Sequence, residues 1–181
     1  MMKLTEKTIS SQMLHRGKVV SLRIDSVELP NGKIAAREVV EHSGAVAVVP
    51  IDNNGEVLMV RQYRHPVGKI LLEIPAGKLD PGEAPDDCVR RELLEETGMV
   101  AGKLSKLFSC YSTPGFSNEI LHVYLAENLT YQGQQLDKDE FLKVEKVPLS
   151  KAVEMISAGE IEDAKTIAGL LAVKTRERSG D

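Results

Sequence analysis

The chain has 181 residues, 42% of them hydrophobic, with 23 Lys and Arg against 27 Asp and Glu and a formal charge of −4. That is the profile of a soluble globular protein of about one domain, and its acidic balance gives no long-range attraction for nucleic acid or an anionic membrane surface. No apolar stretch approaches the roughly 20 residues of a bilayer span, Cys88 and Cys110 are too few for a disulfide framework or a thiolate zinc site, and MMKLTEKTISSQ lacks the apolar core of a secretion signal, so the expected compartment is the cytoplasm.

Along the chain, Val20, Leu22, Ile24 and Val27 lie on a broken alternation. Pro30-Asn31-Gly32-Lys33 carries turn chemistry, and an apolar run resumes over 34–40. The pattern predicts a hairpin within an N-terminal β arm, residues 1–43, ahead of a main domain over 44–181. Residues 44–52 read as a buried strand, Asn53-Asn54-Gly55 as a turn and 56–63 as the returning strand. A short strand over 69–74 runs into Pro75-Ala76-Gly77, where a turn is expected. Pro85 suits the first turn of a helix, Asp86 and Asp87 complement its dipole, and Gly98 is its stop. Runs over 107–111, 120–126 and 141–147 read as strands. Ser150 is expected to cap an amphipathic helix ending near Gly159, and Asp163 a second one carrying Ile167, Leu170, Leu171 and Val173. The fold class is therefore mixed α+β.

The informative segment spans residues 77–99. On a helix, Glu92, Glu95 and Glu96 share one face, within an arc of roughly 100°. Three carboxylates that close repel one another unless a cation sits among them, and hard divalent cations such as Mg²⁺ take oxygen ligands and bridge to substrate phosphates. The turn at Gly77 can bring a backbone carbonyl, that of Ala76, towards the same cation. Arg91 can pair with a glutamate to fix it or reach a phosphate oxygen. RELLEE alone would be an ordinary solvated helix face. Gly77, Glu83, Arg91, Glu92, Glu95, Glu96 and Gly98 together, at set spacings, would arise by chance in about one window in 10⁸.

This segment resembles the signature of the Nudix hydrolases at every fixed position. The resemblance implies a mixed β-sheet sandwiched between helices, and metal-dependent cleavage of nucleoside diphosphates linked to another moiety. Further matches at 37–40, 44–48, 62–64, 72–77 and 113–119, with Pro114 fifteen residues beyond Met99, are similar to the bacterial ADP-ribose pyrophosphatase subgroup. That subgroup implies hydrolysis of ADP-ribose to AMP and ribose 5-phosphate with Mg²⁺, Mn²⁺ being a substitute. The resemblance assigns the metal to the Ala76 carbonyl, Glu92 and Glu96, with Glu95 beside them, and gives Arg91 and Glu95 catalytic support. Arg64, Glu73, Lys78, Thr113, Gly115 and Glu119 fall at substrate-binding positions. Arg37 and Glu38 match residues that reach the substrate from the partner of a homodimer, whose arms cross between subunits.

In the family, a carboxylate on the loop before the last strand is the general base. Here that loop offers Glu140 first, Asp139 second and Asp137 third. Trp is absent, and Lys18 and Val19 stand at the arm positions expected near the base, so Tyr63, Phe116 or an arginine would stack on adenine instead. His15, His42, His65 and His122 form no ligand spacing, and Cys88 reads as an ordinary buried cysteine. The alternatives are hydrolysis of another nucleoside diphosphate sugar, such as GDP-mannose, and a non-catalytic nucleotide-sensing module. Sensing modules usually lose these carboxylates, whereas all are present. The signature holds three basic and seven acidic residues, so the chain's entire acidic excess lies there; a pyrophosphate approaches such a segment only with divalent cations to bridge it.

Overall fold

The computed structural model describes residues 4–136, 138 and 140–179, in two units. The first comprises residues 1–44 and 110–120, the second 45–109 and 121–181.

The first unit is built on an antiparallel meander of β1 (Lys7–Arg16), β2 (Val20–Glu28) and β3 (Ile34–His42). The hairpin between β2 and β3 turns where Pro30-Asn31-Gly32 predicts, Gly32 adopting φ 79°. Strand β1 is an addition to the sequence reading. All ten of its residues are exposed, and its pairing with β2 shifts register between Thr8 and Ser10 and between Met13 and His15. No period-two apolar pattern survives such shifts, so KTISSQMLHR gave no strand signal.

The second unit holds β4 (Ala45–Pro50), β5 (Glu56–Arg64), β6 (Lys69–Glu73), β7 (Ala76–Lys78), β10 (Leu142–Pro148) and all but the ends of β8 (Met99–Tyr111) and β9 (Ile120–Tyr131), in two sheets ordered β10-β5-β6 and β7-β4-β9-β8. Strands β4 and β9 are parallel, Ala45 facing Leu121 and Pro50 facing Ala126. Because alternate side chains leave opposite faces of a strand, this pair serves two helices. Val46, Val48, Tyr124 and Ala126 pack with Cys88, Val89 and Leu93 of helix α1 (Pro85–Thr97). On the other face, a Cβ at Gly169 of helix α3 (Ala164–Ser179) would lie 3.0 Å from Val49 and 3.5 Å from Val123. The sheet is sandwiched between helices, as the resemblance implies.

Two local expectations are corrected. Residues 76–78 are extended and pair with β4, where a turn at Gly77 was expected. Helix α2 (Leu149–Ser157) starts from Pro148 with no side-chain cap, so Ser150 lies inside the helix. Asp163 does cap α3: its Oδ2 accepts from the Thr166 N–H at 2.9 Å and the Thr166 hydroxyl at 2.6 Å. Among the described residues no helix is long and apolar enough to cross a membrane.

Candidate active site

Helix α1 begins with Pro85 after the extended Ala84, has Asp86 and Asp87 in its first turn, and ends at Gly98 in the left-handed region, φ 73°. Its apolar residues Cys88, Val89 and Leu93 face the core, and the same periodicity draws Glu92 and Glu96 inward beside them. Strand β7 runs against these carboxylates. The Ala76 N–H donates to Glu96 Oε2 at 3.1 Å, and a Cβ placed on Gly77 would stand 1.8 Å from Glu92 Oε1. Glycine is favoured here by close approach to that carboxylate, with no unusual φ. Gly77→Ala must therefore displace the Glu92 carboxylate or the strand, and we expect at least a tenfold loss of kcat/KM, of order 1.4 kcal/mol, in steady-state kinetics.

Arg91 organises the outer edge of the cluster. Its Nε and Nη2 donate to Glu83 at 2.9 and 3.0 Å, and its Nη1 to Glu92 at 2.8 Å and Glu95 at 2.9 Å. Of the two roles open to Arg91, this structure takes the pairing one. The guanidinium holds Glu83 down to about 2 and is itself pushed up by Glu83 despite burial. Burial raises Glu92, and Arg91 offsets part of the rise. Glu96 is pushed up to about 8, first by burial and then by the charge of Glu140, with the Ala76 N–H pulling the other way. Burial raises the Cys88 thiol to about 12, so it is an inert part of the core.

Among the described residues, no three His, Cys, Asp or Glu side chains converge as a ready-made cation cage; Arg91, donating to Glu92 and Glu95, relieves part of the repulsion among the acids. The donor set still fits a hard divalent ion. Glu92, Glu95 and Glu96 offer carboxylate oxygens, without thiolate or imidazole.

Glu140 lies within electrostatic reach of both Glu92 and Glu96. The chain is led there by ties to the end of α1: the Gln132 N–H donates to Gly98 O, the Gln134 side-chain amide to Glu96 O and the Gln135 N–H to Glu95 O. Asp139 and Asp137 lie outside the described residues.

On the other side of the cluster, Arg64 forks onto Glu73, Nε to Oε1 at 2.7 Å and Nη2 to Oε2 at 2.8 Å. Glu73 is 1% exposed and also accepts from Lys165. Burial pushes Glu73 up, but Arg64 and Lys165 bring it below the usual carboxylate range. Arg64 is raised by Glu73, with Glu96 adding to the field upon it. Lys78 sits on β7, its carbonyl accepting from Cys88 and Arg91. Two residues before Arg64, Gln62 has a buried Oε1 with no hydrogen-bond partner among the described residues, an acceptor that the sequence reading missed.

The remaining predicted residues lie in the first unit. Arg37 pairs with Glu6 at 3.0 and 2.5 Å and shares with Glu38, Gly115 and Phe116 the lining of a cleft of about 360 Å³. Thr113 O accepts from the N–H groups of Phe116 and Ser117, fixing the turn that carries Gly115. Glu119 accepts from the Ser112 hydroxyl at 2.5 Å and lies 3.5 Å from His42 Nδ1.

Residues 28–170 match the model of the NUDIX domain, and residues 6–40 that of the nucleoside diphosphate sugar hydrolase N-terminal domain. The ADP-ribose pyrophosphatase of Bacillus subtilis (strain 168) is 45% identical over 98% of this chain and 97% of its own. The methanol dehydrogenase activator of Bacillus methanolicus is 42% identical over 95% and 94%. A crystal structure of an ADP compounds hydrolase superposes with a TM-score of 0.86 over 97% of this chain and 95% of its own, at 22% identity, which establishes likeness of fold.

Proposed function

The chain belongs to the Nudix family, and we propose that it hydrolyses the pyrophosphate of ADP-ribose to AMP and ribose 5-phosphate in a Mg²⁺-dependent reaction. The observation that carries this reading is 45% identity along nearly the whole of a chain named for that activity, combined with a complete set of signature carboxylates on α1. The name of the second relative describes an effect on another enzyme, not a bond that is cut, so it does not compete.

Nudix hydrolases generally use divalent metal ions. The residues that would hold the ion are Glu92, Glu96 and the Ala76 carbonyl, with Glu95 beside them. When bound, a divalent cation neutralises charge on the pyrophosphate and acidifies a water. Glu140 receives the proton of the attacking water, its carboxylate lying within reach of the glutamate cluster. Arg64 presents positive charge to the phosphates. Arg91 holds Glu92 and Glu95 in register, the arrangement from which they would hold the ion. By the family resemblance Arg37 and Glu38 reach the substrate of a partner subunit, Thr113, Gly115 and Glu119 fall at substrate-binding positions, and the exposed β1 meets a second copy of the chain.

The test is a panel of nucleoside diphosphate sugars, including ADP-ribose and GDP-mannose, assayed with and without Mg²⁺, alongside light scattering of the same preparation. The expected result is a dimer that releases AMP from ADP-ribose only with metal. Preferential cleavage of GDP-mannose would replace the substrate, tight ADP-ribose binding without turnover would point to a sensing module, and a monomer would remove the partner contact.

A further inference from the structure

Glu73 is an unusual residue to find at the edge of a phosphate site. Its carboxylate is 1% exposed and holds two cations, Arg64 through a two-point fork and Lys165 through its ammonium. Lys165 is itself placed with care. It is the second residue of α3, and the start of that helix is pinned to the end of β6: the Ile74 N–H donates to the Thr166 hydroxyl at 2.9 Å, and that hydroxyl donates to Asp163. Asp163 also pairs with Lys165 at 3.0 Å. The cluster of Arg64, Glu73, Lys165 and Asp163 is thus neutral as a whole and anchored at both ends.

The arithmetic of charge matters for Arg64. Glu73 and Asp163 together would set two negative charges against it, and Lys165, paired with both, cancels one of them. The fork uses Nε and Nη2, Nη1 takes no part in it, and the Arg64 side chain is 38% exposed.

We propose that Lys165 is a positioning residue, which by holding buried Glu73 and offsetting Asp163 fixes the carboxylate onto which Arg64 forks, and so leaves Arg64 oriented with Nη1 outside the fork for the pyrophosphate. This rests on the hydrolase reading above, and assigns Glu73 a role behind the phosphate contact. Lys165 touches no substrate; it acts through Glu73 on Arg64. An interaction of that kind is made in the ground state and the transition state alike, so its loss appears in KM and not in kcat.

The experiment compares Lys165→Met and Lys165→Arg with the parent in steady-state kinetics at saturating Mg²⁺, with thermal melting of each protein. Lys165→Gln is measured beside them, so that the outcome does not depend on one neutral variant folding. The expected result is a rise in KM of about tenfold for the neutral variants, the scale of one charge-assisted hydrogen bond. Their kcat should stay within about twofold, and Lys165→Arg should recover most of the loss. Unchanged KM in the neutral variants, a loss confined to kcat, or a Lys165→Arg enzyme as poor as Lys165→Met would overturn the proposal. If the parent favours another nucleoside diphosphate sugar, the substrate reading fails, and the same comparison on that substrate still decides the role of Lys165.

Discussion

Glu96→Gln should lower kcat on ADP-ribose by about a thousandfold or more, roughly 4 kcal/mol of barrier, while the metal-free protein melts no lower than its parent. The two halves of this expectation come from the same fact. Glu96 is 1% exposed and already disfavours its charged form, its carboxyl sitting at about 8 through burial and the nearby charge of Glu140. A neutral amide of the same shape therefore costs little in folding, and it can keep the hydrogen bond from the Ala76 N–H through its carbonyl oxygen. What it cannot do is offer an anionic ligand. Isothermal titration with Mg²⁺ alone should show much weaker binding, and calorimetric melting should show an intact fold. Near-normal turnover would remove Glu96 from the metal site.

Glu140→Gln should lower kcat a hundredfold to ten-thousandfold, the range of a general acid–base contribution, with KM for ADP-ribose within about threefold. A second readout separates a base from a ligand. Glu140 is the larger of the charges that raise Glu96, after burial, and it also raises Glu92. Removing its charge lets both carboxyls ionise at lower pH, which offsets the loss of its own attraction for the cation, so apparent Mg²⁺ affinity at pH 7 should change little. Were Glu140 a ligand, it would fall. If Asp139→Asn loses activity instead, the base lies one residue earlier.

The parts of the fold legible from sequence were those in which local chemistry and burial agree. Helix α1 declared itself through Pro85, the two aspartates and Gly98 because each satisfies a different requirement of a helix end. Asp163 was legible as a cap for the same reason, whereas Ser150 offered a capping side chain that the chain, already turned by Pro148, does not use. Strand β1 was invisible because it buries no side chain and its register slips twice. In the site, spacing alone gathered Glu92, Glu95 and Glu96, since a single helix fixes their relation. It left Arg91 between two roles, which only the positions of Glu83 and the acids could decide. Lys165 could not be found at all, because its partner Glu73 lies 92 residues away in sequence and the contact exists only once α3 has docked on β6.

The parallel pairing of β4 with β9 also sets a timetable for synthesis. Ala45 meets Leu121, about 75 residues later, so the central sheet of the second unit cannot close before that later strand has been made. At ordinary elongation rates that interval is roughly 4 to 15 s. During it, β4 and the apolar face of α1 have no completed sheet to cover them. Val46, Val48, Val89 and Leu93, all buried in the finished molecule, are then surfaces for chaperones.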